Sequence, residues 1–455
     1  MRPVTSQTEA LGPAVDPIET DLELPRRADV VVIGGGIVGT CAAWSLSRAG
    51  VSVVVCEKGR IAGEQSSRNW GWCRAGIRDP REIPLANEAI RMWSEMNACV
   101  QGETGYRTAG SLFVCEKDSE VAGYEQWLKH ARAHGMTSRL IDPDQSAALL
   151  PGATKRFKAA LYTPTDGCAE PQKAVSAIAQ AGRRLGAIVV TNCAVRGLDM
   201  VAGRVGGVIT ERGRIATSSV VLAAGAWSRL FTIPLGLRLP LLKIQGSVLR
   251  TEPLAGGPEG MAWVGGFAFR KRLDGGYTIA KGDSNLVSIV PDTFRFLFDF
   301  LPALKADWPL LRVRLDGRFK EEWQHWRPTA VDKPSQFERV RVLSPGPMGP
   351  VNAEALRQIT RLFPLFSRAK VAEQWGGMID VTPDAIPVIS PIDELPGFHI
   401  AAGFSGHGFG VGPAAGKLTA DLLLGRSPSV DPRPFRYSRL VDGSKATPGG
   451  LASHA

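Results

Sequence analysis

The twelve residues GEQSSRNWGWCR, Gly63 to Arg74, bring together groups with several chemical uses. Ser66 and Ser67 carry hydroxyl donors suited to phosphate or polyol oxygens, with Gln65 a further candidate for binding the same group, and Asn69 goes with the tryptophans as a candidate border of a flat ring. Trp70 and Trp72, on either side of Gly71, carry flat rings. Arg74 carries a guanidinium, which can grip a carboxylate through two parallel hydrogen bonds. A second cation suited to that use is Arg270 in GGFAFRKR, with Arg272 a weaker candidate. Trp375 in EQWGGM and Phe267 or Phe269 are candidate walls of a side-chain pocket, core packing being their alternative use. His407, between Gly406 and Gly408, is a candidate neighbour of a bound group, or else a capping histidine on an exposed loop.

These groups need elements to hold them. ADVVVIGGGIVGTCAAWSLSRAGVSVVVCEK reads as strand, turn, helix, strand. Val30 to Ile33 suits a buried parallel strand. Gly34, Gly36 and Gly39 then form a G-x-G-x-x-G turn, and a helix is expected from Ile37 to Ala49, capped by Gly50. Gly34 permits the tight turn, Gly36 lets backbone approach a pyrophosphate, and Gly39 lets helix pack on strand. Ile37 and Val38 open the helix, whose N-terminus favours an anion. Val51 to Cys56 is the second strand. Glu57 at its end can accept from ribose hydroxyls, which disfavours a 2′-phosphate and hence NADP. Lys58 follows as a phosphate or ribityl donor.

Two further anchors lie downstream. SVVLAAGAWS, Ser219 to Ser228, is a strand running into a turn at Ala224 and Gly225, followed by Trp227. Before it, short strands alternate with glycine turns from Val195 onward, as in a β-meander. Near the C-terminus, strand Phe398 to Ala402 leads into Gly403, Gly406, Gly408 and Phe409, ahead of a helix expected from Pro413 to Leu424. This second helix N-terminus suits a flavin, whose reduced ring is anionic.

Composition sets the outer limits. The 455 residues allow two or three domains, and the net charge is +10. The basic residues are scattered, so nucleic acid is not expected as a partner. The seven cysteines show no CxxC or Cys/His spacing, so no metal is expected and a reducing cytoplasm fits. Residues 1–27 lack a signal-like apolar core and read as a flexible leader. Glycines interrupt the uncharged run after Val30, which argues against a membrane span.

GVSVVVCEKGRIAGEQSSR, TNCAVRGLDMVAG, GGFAFRKRLDGGY, EQWGGMIDVTPDAIPVIS and TADLLLGRSPSVDPRPF carry a resemblance spanning Asp29 to Phe435. The chain resembles the D-amino-acid-oxidase-like FAD-dependent oxidoreductases, which include glycine and sarcosine oxidases, and more closely the bacterial L-amino acid deaminases. Those deaminases carry an N-terminal membrane helix, which is not expected here. NWGWCRAG is richer in tryptophan, and GHGFG looks more like the sarcosine-oxidase type. The resemblance implies FAD, held without a covalent link because no cysteine follows Cys193. It implies hydride removal from an amine-bearing carbon to flavin N5, then imine hydrolysis to a keto acid. Secondary-amine oxidation, or a non-catalytic FAD-binding subunit, are the alternatives.

The implied fold is α/β with an α+β substrate part. A Rossmann-like FAD-binding domain with parallel sheet and meander is expected over 28–110, 165–245 and 371–440. An antiparallel-sheet substrate domain with an added α/β subdomain is expected over 111–164 and 246–370, with a tail at 441–455. WPLLRVRL and EEWQHWRP in that subdomain are read mainly as core, with an exposed surface for a membrane or redox partner as the alternative. The segment Tyr277 to Ala280 is expected to end the substrate sheet. It places Thr278 where sarcosine-oxidase-like proteins present a lysine, with Lys281 nearby. That placement points to a quinone or membrane acceptor rather than oxygen, and to a cytoplasmic protein peripheral at the inner membrane.

Overall fold

The computed structural model describes residues 12–308, 311–326 and 329–444. The β-branched run Val30–Ile33 sits at the centre of a six-stranded sheet with all four residues buried. Its parallel neighbours are Val53–Cys56 on one side and Ser219–Leu222 on the other. Ile188–Val190 and Phe398–Ala402 extend the parallel set, and Val388–Pro391 closes one edge antiparallel. The expected meander is present as Val195–Val201, Arg204–Thr210 and Gly213–Ala216.

The first helix runs Ile37–Arg48, one residue shorter than expected, with Gly50 in the left-handed region at φ +79. The C-terminal helix departs further: it spans Gly408–Leu423, not Pro413 to Leu424. Its glycines are a packing face rather than a loop. A Cβ at Gly412 would lie 2.5 Å from Ile37, and one at Gly416 would lie 2.5 Å from both Ala42 N and the Cys41 side chain. Both helices thus start at the same end of the parallel sheet, pressed together.

The second sheet has ten strands. Leu242–Thr251 pairs with Val371–Val381, Tyr277–Lys281 and Asn285–Ser288. The sheet continues through Phe267–Lys271, Met261–Val264, Ser111–Cys115 and Ala159–Thr163. It is mixed rather than wholly antiparallel, because Met261–Val264 runs parallel to Ser111–Cys115, and Asn285–Ser288 to Leu311–Arg314. Two boundaries shift accordingly. Val371–Val381 belongs to this sheet and not to the nucleotide-binding part, and the sheet strand begins at Leu242 rather than 246. Tyr277–Lys281 lies inside the sheet, not at its end.

The expected flexible leader is tied down over the described residues 12–27. Asp16 N–H donates to Gln172, Asp21 N–H donates to Val189, and Arg183 pairs with Asp21 at 3.1 Å. Residues 1–11 and 445–455, the rest of the leader and most of the tail, lie outside the described residues. So do 309–310 and 327–328 within the two aromatic segments. Their neighbours are not core: Phe298 is 85% exposed, Leu315 69%, Trp308 59% and Trp323 55%. Among the described residues no helix is long and apolar enough to cross a membrane. All seven cysteines are free thiols.

Replacing Gly416 by Ala tests the helix contact. The added methyl meets backbone and a buried thiol, so overpacking should cost about 1–3 kcal/mol. Thermal unfolding of the variant should show the loss; an unchanged midpoint would mean the two helices separate freely.

Candidate functional site

A cleft runs between the parallel sheet and the ten-stranded sheet. At one end lie Gly34, Gly36, Ile37, Val38 and Glu57, with Val195, Ala224, Gly225 and Trp227 beside them. Gln65, Ser66, Asn69 and Trp70 line the middle, and Gly406, His407, Gly408 and Phe409 border the other end with Trp72, Arg74 and Arg78. Most of the predicted residues are therefore brought together.

The first turn is built for close approach. At Gly34 (φ +112) a Cβ would sit 2.5 Å from the Ala223 carbonyl oxygen, and at Gly39 it would sit 2.1 Å from that of Gly34. Gly39 therefore packs helix on strand and does not line the cleft. At Gly36 the only neighbour of a Cβ is Ser66 Oγ at 3.0 Å, and at Gly406 it is Ile379 at 3.9 Å. Side chains there would fill the cleft. Glu57 accepts from the N–H groups of Gly35 and Gly59, each at 2.7 Å. Burial raises its carboxyl above the ordinary range despite Lys58 and those donors.

Several predicted residues do other work. Lys58 is not a free phosphate donor: its ammonium pairs with Glu64 at 2.6 Å and donates to the carbonyls of Val340 and Arg341. Ser67 points away from the cleft and donates to the Glu64 carbonyl. Gly71 is under the loop, its Cβ position blocked by Ala169 O and the Arg270 guanidinium. Gly403 donates its N–H to Asp380 at 2.7 Å, behind the wall. Trp375 is not a pocket wall: it is 2% exposed, and its indole donates to the Arg68 carbonyl at 2.9 Å. Phe267 and Phe269 pack in the substrate-sheet core with Phe363. Thr278 does not face the cleft, whereas Lys281 does.

Arg270 is the largest correction. Its Nη1 and Nη2 donate to Glu170 at 2.8 and 2.9 Å, its Nε donates to the Trp70 carbonyl, and it is 1% exposed. A guanidinium so used does not line the cleft and is not placed to grip a substrate carboxylate. Burial alone would raise the Glu170 carboxyl, but Arg270, Arg272 and the Leu273 N–H outweigh it and hold it at about 2.

Among the cations lining the cleft, Arg74 and Arg78 stand with Trp72 and His407. Arg74 donates to the carbonyls of Gly76 and Ile77 and lies over the Phe113 ring. Arg78, four residues on, is 3% exposed; its Nε donates to the Arg74 carbonyl at 3.2 Å. Its Nη1 has no hydrogen-bond partner among the described residues. Sequence reasoning missed Arg78, although its spacing from Arg74 in RAGIRDP was a usable signal. Burial, then Arg78 and Arg74, hold His407 well below the ordinary imidazole range, so it is neutral. Its Nδ1 lies 3.4 Å from Glu82.

A parallel sheet with a glycine turn, a meander and a second sheet roofing the cleft define a two-part dinucleotide-binding oxidoreductase. Residues 29–422 match the family model described as FAD dependent oxidoreductase, and the chain belongs to that family. The solved L-amino acid deaminase of Proteus myxofaciens, in complex with anthranilate, superposes with TM-score 0.91 at 31% identity, covering 94% of this chain and 97% of that one. The Proteus vulgaris L-amino acid deaminase superposes at 0.88 and 33%, covering 92% and 99%. Among curated proteins, the Pseudomonas aeruginosa glycine oxidase is 26% identical, covering 89% of this chain and 97% of its own. Mouse mitochondrial sarcosine dehydrogenase is also 26% identical over 95% of this chain, which spans only 44% of that protein. The glycine cradles and the two helix N-termini fit FAD, the cofactor of the family.

Two outcomes follow. Glu57→Gln keeps one acceptor oxygen for two backbone donors, so FAD retention should weaken by roughly 1–3 kcal/mol; equilibrium dialysis against free FAD measures it, and unchanged retention refutes the role. The depressed Glu170 carboxyl contributes stability above its ordinary value of 4.5 that is lost as pH falls towards about 2. Glu170→Gln should flatten that acid limb in urea titrations between those pH values.

Proposed function

We propose that the chain oxidises the CH–NH bond of an amino acid, releasing an imine that water converts to a keto acid and ammonia. The observation that carries this reading is Arg78, a buried guanidinium at the cleft with one nitrogen uncommitted. A charged hydrogen bond from such a group orients a substrate carboxylate, and orientation is the main demand of hydride removal. FAD, when bound, supplies the two-electron acceptor. Gly34, Gly36, Glu57, Ser66 and the start of the Gly408–Leu423 helix would hold it.

The chain's own groups suit an uncharged amine. The carboxylates lining the cleft are Glu57, Glu64 and Asp380. Each already accepts protein bonds: Glu64 from Lys58, Trp227 and Leu343, and Asp380 from Gly403. Neutral His407 adds no charge beside the amine. Trp72 and Phe409 add apolar wall at the same end, and Trp70 continues it into the middle of the cleft. The likeness to glycine oxidase and sarcosine dehydrogenase supports secondary amines as the second reading. Arg74 and Arg78 at the cleft weigh against a non-catalytic subunit.

The electron acceptor is read as a quinone or another carrier. Electron transfer to oxygen develops negative charge that a nearby free cation stabilises. Lys281 lines the cleft, but its ammonium is paired with Asp283 at 2.7 Å. The exposed Phe298, Trp308, Leu315 and Trp323 favour docking at a membrane surface.

Anaerobic bleaching of the yellow protein by L-, D- and N-alkyl amino acids tests the reaction; no bleaching by any amino compound would overturn it. Arg78→Met should raise KM by about 10–100-fold, as loss of a charged hydrogen bond predicts, with FAD retention unchanged. In air the native protein should make little peroxide without an added quinone. Asp283→Asn, which removes the ion pair and leaves Lys281 only its Gln358 contact, should raise the peroxide yield.

A further inference from the structure

The Arg270–Glu170 pair is buried to an unusual degree for charges, at 1% and 6% side-chain exposure. Both Glu170 oxygens are engaged: Arg270 takes them at 2.8 and 2.9 Å, and the Leu273 N–H donates at 2.8 Å. Arg272 stands 3.4 Å away. The third nitrogen of Arg270, Nε, reaches across to the Trp70 carbonyl. On the same side the Gly71 carbonyl accepts from Ala169 N–H at 2.9 Å, and the Gly71 N–H donates to Asn69 Oδ1 at 2.8 Å. The backbone of residues 69–71 is therefore held at the Trp70 carbonyl and at both polar groups of Gly71. It carries Trp70, a wall of the cleft, whose ring stacks on Trp263 with centroids 6.1 Å apart. Gly282 leaves room for that stack: a Cβ there would lie 2.3 Å from Trp263 and 3.0 Å from Trp70.

We propose that Arg270 and Glu170 form a positioning clamp that sets the height of the Trp70–Trp72 segment at the cleft, and that Arg270 does not bind substrate. Two charges buried this deeply are costly to hold, and a paired arginine and carboxylate fix direction as well as distance. The segment ends at Arg74, so the same clamp sets where the cleft cations begin. The proposal rests on the amino acid oxidation reading only for its kinetic arm.

The test uses the FAD-loaded protein and three variants. Arg270→Lys keeps the charge but loses the fork, Glu170→Gln keeps the shape but loses the charge, and Gly71→Ala keeps both charged residues but sets a methyl against the Ala169 carbonyl and the Arg270 guanidinium, pushing the loop off the clamp. All three should alter the near-ultraviolet circular dichroism of the Trp70–Trp263 stack and the visible flavin spectrum. Each should lower kcat by about 10–100-fold with KM within about threefold, as a misplaced wall predicts. Arg270→Lys combined with Glu170→Gln should be no worse than the worse single variant. A KM rise of about 30-fold confined to Arg270→Lys would make Arg270 a substrate ligand and overturn the clamp. Lowered thermal stability with unchanged spectra would also overturn it. Should the charge variants not fold, Gly71→Ala decides alone by its spectra. Altered spectra without turnover of any amino compound would keep the clamp and sink the proposed reaction instead.

Discussion

The contact between the Ile37–Arg48 and Gly408–Leu423 helices constrains everything built around the cleft. Gly412 and Gly416 on one helix leave no room for a Cβ against Ile37, Cys41 and Ala42 on the other. Close packing of backbone on backbone brings two helix N-termini to one side of the parallel sheet. Each N-terminus carries partial positive charge and free N–H groups. A dinucleotide has anionic character at its pyrophosphate, and a reduced flavin ring has it as well. One chain thus offers two matched ends to one long cofactor, and the spacing between them is set by where strands Val30–Ile33 and Phe398–Ala402 end in the same sheet.

Once that frame is set, buried charge decides what each polar group can do. The nucleotide-end carboxylate Glu57 and the wall carboxylate Glu64 already accept from backbone N–H groups, Lys58 and Trp227. At the opposite end Arg74 and Arg78 face Asp166 and Glu82 from behind the wall; burial lowers both guanidinium pKa values, and repulsion from Arg78 adds to it at Arg74. The wall itself presents cation and aromatic surface but no uncommitted carboxylate. That asymmetry is why the proposed substrate is one whose carboxylate would point towards the arginines and whose amine would arrive without its extra proton.

The legible parts of the sequence were those in which local chemistry and position agree. The G-x-G-x-x-G turn has its strand, helix and acid in order, and the structure keeps all of them. Glycines misled where they serve packing: Gly408, Gly410 and Gly412 look like a loop in one dimension but are the first turns of a helix in three. Arg270 misled because its partner, Glu170, is 100 residues away, and no local pattern announces a buried pair. Trp375 misled likewise, its indole being used by the Arg68 carbonyl of a distant segment. Lys281 lies three residues beyond Thr278 on the same strand, and because a β-strand reverses its facing at every residue it lines the cleft where Thr278 does not.

The tryptophan-rich loop then has a physical explanation of its own. A segment that must present rings on one side and stay fixed on the other cannot rely on side-chain packing alone, because rings slide over rings at little cost. Trp70 stacks on Trp263, and Trp72 meets Phe113 edge-on at 6.0 Å. Such contacts favour a family of positions rather than one. Directional bonds to the backbone select among them: Arg270 at the Trp70 carbonyl, Asn69 and Ala169 at Gly71, and Asp166 at the N–H groups of Ala75 and Gly76. The hydrophobic surface drives the loop into the cleft, and the buried charges determine where in the cleft it stops.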